Sequence, residues 1–371
     1  MARFEGQDAA FRDLVFYSEG AGDWPHVGPV IEALLRDHSR NLSYLSSDPT
    51  DPGLGLEHPQ FRSFLIGSGT VRTILFARID CGHFVMTLPD LGNLWLKRSV
   101  HPVHYVYLFH SMNSTHTSYR KGAFDGFDTI LCVGPYHVEE IRKTESLYGL
   151  PEKELIEHGS AKLDTVLDQF ADSSGSHNAD RQPQVLVAPT WGESSLIEAS
   201  VGPELLGVLL RAGYSVTLRL HPMTVRRLPN LVADLRRSFG GESRFHLEED
   251  MNVTTSWLRS DLMISDWSGA AIEYAFAVQK PVVYLDTPPK IMNPEWTQLG
   301  MAAFEDVIRS EVGRVVEPSA IGDIPRVVAE VLAEPDRHRE RALTARASSV
   351  YNVGGSSAAA ARYLASLDAR G

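Results

Sequence analysis

The chain has 371 residues, 43% hydrophobic and 22% charged, with a net charge of −12 from 35 basic and 47 acidic side chains. That length exceeds one compact core and suits two domains, and the composition is that of an ordinary globular protein. So acidic a chain lacks the basic footprint of general nucleic-acid binding, although one local basic groove for an anionic substrate remains compatible with it.

In chain order, MARFEGQDAAFRDLVFY scatters charges and has no continuous apolar stretch of signal-peptide type. Leu14 to Tyr17 reads as a strand, SEGAGDWPH as a glycine turn and Val27 to Leu35 as a helix. The turn has neither the spacing nor the lysine of a P-loop. Further apolar runs cover 73–79, 84–88, 104–109 and 129–133. Gly134-Pro135 then opens a helix that Gly149 stops. Residues 172–183, DSSGSHNADRQP, lack periodicity and read as a linker.

Beyond the linker the alternation restarts. Strands are expected at 185–188, 215–220, 244–247, 262–264 and 281–285, and helices at 203–212, 231–239, 253–259 and 270–278. The tail from Asp323 is mainly helical. Such alternation means βαβ units and parallel sheets. Cys81 and Cys132 each sit in an apolar, strand-like run and form no disulfide framework, which points to a reducing cytoplasm. No window approaches the ~18 unbroken apolar residues of a membrane span.

In open α/β sheets ligands bind beyond the carboxyl ends of strands, so polar residues placed there are the first candidates. His110 ends the run Tyr105–Phe109 and is followed by Ser111, Asn113 and His116. Arg219 and His221 flank another strand end, which Pro222 closes. In LMISDWSGAAIEYAFAVQKPVVYLD, a small polar loop, Ser265 to Gly269, separates a strand from a helix that includes Ala270. Two readings of that loop stand side by side: an N-cap, and a phosphate seat made from the unpaired amides and partial positive charge of the helix start. Two strand-end histidines, one in each half, would face a common cleft, where one imidazole accepts a proton and the other, protonated, stabilises phosphate. His101 and His104 have no cysteine or carboxylate at ligand spacing, so no metal is assigned. Arg226, Arg227, Arg236 and Arg237 read as a solvated face in preference to a membrane patch.

The segments HYVYLFHSMNSTHTSYRKGAFDGFDTILCVGPYHVEEI, VLVAPTWGESS, LRLHPM and SDWSGAAIEYAFAVQKPVVYLD together resemble the CDP-glycerol glycerophosphotransferase family across residues 84–310. The resemblance implies a GT-B-like α/β fold: two Rossmann-like, doubly wound domains facing a central cleft. Its expected divisions are an acceptor domain at 1–172, a linker at 173–183, a donor-nucleotide domain at 184–345 and a C-terminal helix at 346–371 packing back on the first domain.

It further implies that His110 is the base and His221 a diphosphate contact, with Arg219, Ser265, Asp266, Ser268, Gly269, Ala270, Thr190 and Trp191 at the donor. Ser111, Asn113 and His116 fall on the acceptor side. The expected reaction moves glycerol phosphate from CDP-glycerol to a hydroxyl of a polymer, glycan or lipid-linked acceptor, releases CMP and uses no cofactor. The enzyme would be cytoplasmic, with room for peripheral contact at the inner membrane face.

Many family members carry His-Gly-Thr-Pro where this chain has His110-Ser111-Met112-Asn113, which points to a different acceptor. A CDP-ribitol donor, a nucleotide-sugar glycosyltransferase, a nucleotide-sugar epimerase and a non-catalytic nucleotide sensor are the competing readings.

Overall fold

The computed structural model describes residues 2–93, 96–173, 181–199, 201–248 and 254–368. Most of the expected linker, 174–180, lies outside the described residues, as does Val253, the expected start of a helix that is described from Thr255.

Two parallel sheets form the frame. The first contains β1 (Leu14–Ser18), β2 (Leu42–Ser46), β3 (Phe61–Leu65), β4 (His83–Met86), β5 (His104–Leu108), β6 (Thr129–Cys132) and β7 (Glu154–Glu157), in the order β3-β2-β1-β4-β5-β6-β7. The second contains β8 (Gln184–Val187), β9 (Ser215–Arg219), β10 (Phe245–Glu248), β11 (Leu262–Ser265), β12 (Val282–Leu285) and β13 (Gly313–Val316), in the order β10-β9-β8-β11-β12-β13. Each is doubly wound and reverses strand order beside its first strand, between β1 and β4 and between β8 and β11. Those reversals open the crevices in which α/β sheets hold ligands.

Central strands covered on both faces must be largely apolar, and β1, β5, β6, β11 and β12 each carry an unbroken run of at least three apolar residues. The apolar run 73–79 lies instead in the helix Thr70–Arg78, where Leu75 and Phe76 face inward. Cys132 closes β6, whereas Cys81 stands in the turn before β4; both are buried and neither is in a disulfide.

The helix Gly269–Val278 joins the two halves. Every residue from Ala271 to Val278 is buried, so it has no solvent face. Its residues share one core cluster with Leu163 and Val166 of the helix Ala161–Ser173 in the first half. The last helix, Ser356–Ser366, crosses back and sets Ala360, Ala361 and Leu364 against Val27, Ile31 and Leu34. Among the described residues no helix is long and apolar enough to cross a membrane.

Candidate active site

A cavity of about 920 Å³ lies between the two sheets, large enough for a nucleotide-sized ligand. Its walls are the segments that follow strand ends: Asp23 after β1, Thr87 after β4, His110, Ser111 and Asn113 after β5, Thr190 and Trp191 after β8, His221 after β9, Trp267 to Ala270 after β11 and Lys290 after β12. The two histidines therefore face one cavity from opposite sheets.

Their hydrogen bonds assign them opposite tautomers. His110 Nδ1 lies 3.1 Å from the Thr87 carbonyl oxygen, so it donates its proton there and leaves the Nε2 lone pair free. Burial holds the His110 pKa below its ordinary value, against the pull of the Asp23 carboxylate. His221 Nδ1 accepts from the Met223 amide at 3.1 Å, capping the helix Pro222–Arg227, so Nε2 carries the proton. Burial, aided by Lys290, lowers its pKa to about 4. His221 is thus a neutral hydrogen-bond donor at physiological pH, and the expectation of a charged imidazole on phosphate is corrected.

The loop after β11 divides its residues between two tasks. Ser268 is the N-cap of the helix Gly269–Val278, and its hydroxyl accepts from the Ala270 amide at 3.3 Å. Ser268, Gly269 and Ala270 also line the cavity, so the capping and ligand-facing readings coexist there. A Cβ on Gly269 would collide with Asn113 Oδ1 and stand 2.9 Å from Ser111 Oγ. Only a glycine lets the helix start approach the His110 loop this closely.

Four expected ligand contacts are corrected. Ser265 is fully buried and donates its hydroxyl to the Ala188 carbonyl at 2.6 Å. Asp266 is equally buried, and its carboxylate accepts from the Thr190 amide at 2.7 Å and the Leu196 amide at 2.9 Å. Burial raises its pKa while those amides oppose the rise. Its part is to hold the loop that carries Trp191. Arg219 turns away from the cavity, its guanidinium 3.5 Å from the Glu248 carboxylate and over the Trp257 ring. His116 stands in a separate small pocket, its Nδ1 3.4 Å from Glu140. Burial alone would lower the His116 pKa, but Glu140 outweighs it and the net shift is upward.

The segment from Ser114 to Ser118 is clamped by two buried glutamates. Glu140, from its own half, accepts from the Thr115 amide and hydroxyl at 2.5 and 2.7 Å. Glu305, from the other half, accepts from the Ser114 amide at 2.8 Å and the Thr117 and Ser118 hydroxyls at 2.8 and 3.0 Å. The clamp anchors the chain just beyond His110. Among the described residues no group of three or more histidine, cysteine or acidic side chains is arranged to hold a metal ion.

Part of the cavity wall belongs to a recognisable stretch of sequence. Residues 116–287 match the family model of the CDP-glycerol:poly(glycerophosphate) glycerophosphotransferases. The motif resemblance is thereby shown over that stretch. The matched segment contains Thr190, Trp191, His221 and Ser268 to Ala270, and begins beyond His110. No curated protein matches the chain.

Among solved structures, the chain resembles a variant of the wall teichoic acid polymerase TagF at 13% identity, TM-score 0.60, covering 95% of this chain and 88% of that one. It is also similar to UDP-GlcNAc 2-epimerase from Neisseria meningitidis at 12% identity, TM-score 0.60, with 95% and 99% covered. The corresponding enzyme of Methanocaldococcus jannaschii follows at 13% identity, TM-score 0.58, with 95% and 99% covered. At such identities these likenesses establish the fold, which is the GT-B-like arrangement of two Rossmann-like sheets.

Several cavity residues escaped the sequence reading. Asp23 and His26 lie in the stretch taken for a plain glycine turn, and the His26 ring meets that of His110 edge-on at 6.2 Å between centroids. Lys162 and Glu273 form an ion pair of 2.6 Å across the two halves. Lys290 follows β12, where the strand-end rule would have found it had it been applied to that strand as well.

Proposed function

We propose that this chain transfers glycerol phosphate from CDP-glycerol to an acceptor hydroxyl and releases CMP. The observation that carries this reading is the convergence of His110 and His221, with complementary tautomers, on one cavity beside the start of the helix Gly269–Val278.

The free Nε2 of His110 accepts the proton of the acceptor hydroxyl. The oxygen attacks the β-phosphorus of CDP-glycerol, the bond from that phosphorus to the bridging oxygen breaks, and CMP leaves with the electron pair. The Nε2–H of His221 and the free amides of the helix start donate hydrogen bonds to oxygens on which charge accumulates, and placed donors of this kind are worth about 3–4 kcal/mol each in a transition state. Ser111 and Asn113 stand on the His110 side, toward the acceptor. The acceptor is read as a polymer or glycan, and a lipid-linked one would make membrane contact peripheral, checked by sedimentation with anionic vesicles.

The experiment is CMP release from CDP-glycerol in the presence of polyol phosphate and glycan acceptors. His110→Ala is expected to lower kcat by roughly 10²–10⁴ while CDP binding persists. A folded His110→Ala chain turning over at the wild-type rate would overturn the assignment. Calorimetry with CDP-glycerol, CDP-ribitol and a UDP-sugar separates the donor classes.

A further inference from the structure

Resting on the CDP-donor reading, we propose that Lys290 supplies the positive charge that binds the donor's diphosphate. Two lysines line the cavity. Lys162 is committed to Glu273. Lys290 has no ion-pair partner among the described residues and rests its Nζ 3.1 Å from the centroid of the Trp191 ring. A cation held by a ring face keeps its charge available, and a flexible four-carbon stem can carry it to a phosphate, which binds it more strongly than an indole does.

The backbone beneath this side chain is fixed. Arg309 pairs with Asp286 at 3.0 Å, Trp267 Nε1 donates to the Thr287 carbonyl at 2.5 Å, and the Met292 amide donates to the Thr117 carbonyl at 2.8 Å. Pro288 and Pro289 stiffen the interval immediately before Lys290. The loop thus presents one mobile cation from a rigid base, next to His221 and opposite His110.

The charge of the cavity requires such a group. Of the carboxylates on its walls, Glu273 is paired with Lys162, Glu19 with Arg72 and Asp306 with Arg309, whereas Asp23 and Glu305 have no ion-pair partner among the described residues, and His221 is neutral. A diphosphate entering there meets carboxylates and neutral donors, and Lys290 is the lysine left uncommitted to balance it. Burial lowers the Lys290 pKa to about 8, while Glu198 and Asp266 act to raise it and Arg227 to lower it. The charge is therefore present at neutral pH and removable under mild alkali.

The test is titration of CDP into wild type, Lys290→Met and Lys290→Arg by calorimetry, at low and high salt and from pH 7 to above pH 9. Methionine keeps an apolar stem on Trp191 and removes the charge. The expected result is at least a ten-fold loss of CDP affinity for Lys290→Met, substantial recovery in Lys290→Arg, and a difference between wild type and Lys290→Met that shrinks as salt rises. Wild-type affinity is expected to fall above about pH 8 while Lys290→Met stays flat. Unchanged CDP affinity in Lys290→Met overturns the inference. So does a loss insensitive to salt and pH, which would make Lys290 a prop for Trp191. Failure of the wild type to bind CDP at all would instead refute the donor reading on which the inference stands.

Discussion

His110 and His221 are the same residue type in adjacent settings, and one hydrogen bond each makes them unlike. A carbonyl at Nδ1 turns His110 into a proton acceptor, and an amide at Nδ1 turns His221 into a proton donor. The pH dependence follows with a definite sign. As the proposed base His110 must be neutral, and burial lowers its pKa, so kcat/KM is expected to be flat at neutral pH and to fall only below about pH 6.5, the ordinary histidine value. A pH–rate profile whose acid limb lies above that value would contradict the tautomer assignment. The two histidines were legible because a polar residue after an apolar run has a fixed address in a parallel sheet. Arg219 and His116 share that address but were misread, because their partners Glu248 and Glu140 lie at positions no local pattern reveals. Asp23 was hidden for the opposite reason: a turn rich in glycine explains itself without invoking a site.

At the scale of elements, the seam between the halves is where sequence and function meet. The start of the helix Gly269–Val278 presses on Ser111 and Asn113, so Gly269→Ala should displace the helix amides from the His110 loop. Since a shift of about 1 Å at a reacting centre can cost up to roughly 10²-fold, kcat/KM is expected to drop at least about ten-fold. Adding Asn113→Gly should recover part of it, as steady-state kinetics on the single and double variants would show. Glu305 tests the clamp. Glu305→Ala leaves the Ser114 amide and two hydroxyls without their acceptor, at a cost of about 2–4 kcal/mol, read as a lowered urea midpoint. The central strands β1, β5, β6, β11 and β12 were plain in the sequence because each carries an unbroken apolar run. The edge strands β3, β7 and β13 were not, since each is partly exposed and none has an apolar run longer than two residues. Buried β2 also escaped, because Ser43 and Ser46 interrupt it; their hydroxyls are satisfied by the Phe11 carbonyl and the Asp51 carboxylate.

The molecule as a whole carries a built-in sensitivity to acid. Burial holds His137 and His158 at pKa values of about 4, far below an unfolded histidine. Between pH 6.5 and 4 the unfolded chain takes up protons that the folded one refuses, so stability is complete above pH 6.5 and is lost as the pH falls through that window. Each fully buried imidazole contributes up to about 3 kcal/mol to the loss by pH 4. The melting temperature is expected to decline steadily from pH 6.5 downward, and His158→Gln should make the decline shallower. The overall architecture was readable from the alternation of strand and helix. What alternation could not convey is how the chain returns to its starting half. After the helix Pro335–Ser349, the Tyr351 amide bonds to the Val133 carbonyl, and the amides of Gly354 and Ser356 bond to Asp164. The polypeptide therefore passes between the halves twice, once outward and once home. The return leg is pinned to the first half by three backbone amides, so any swing of the second half away from the first should pivot beside Tyr351 and Asp164.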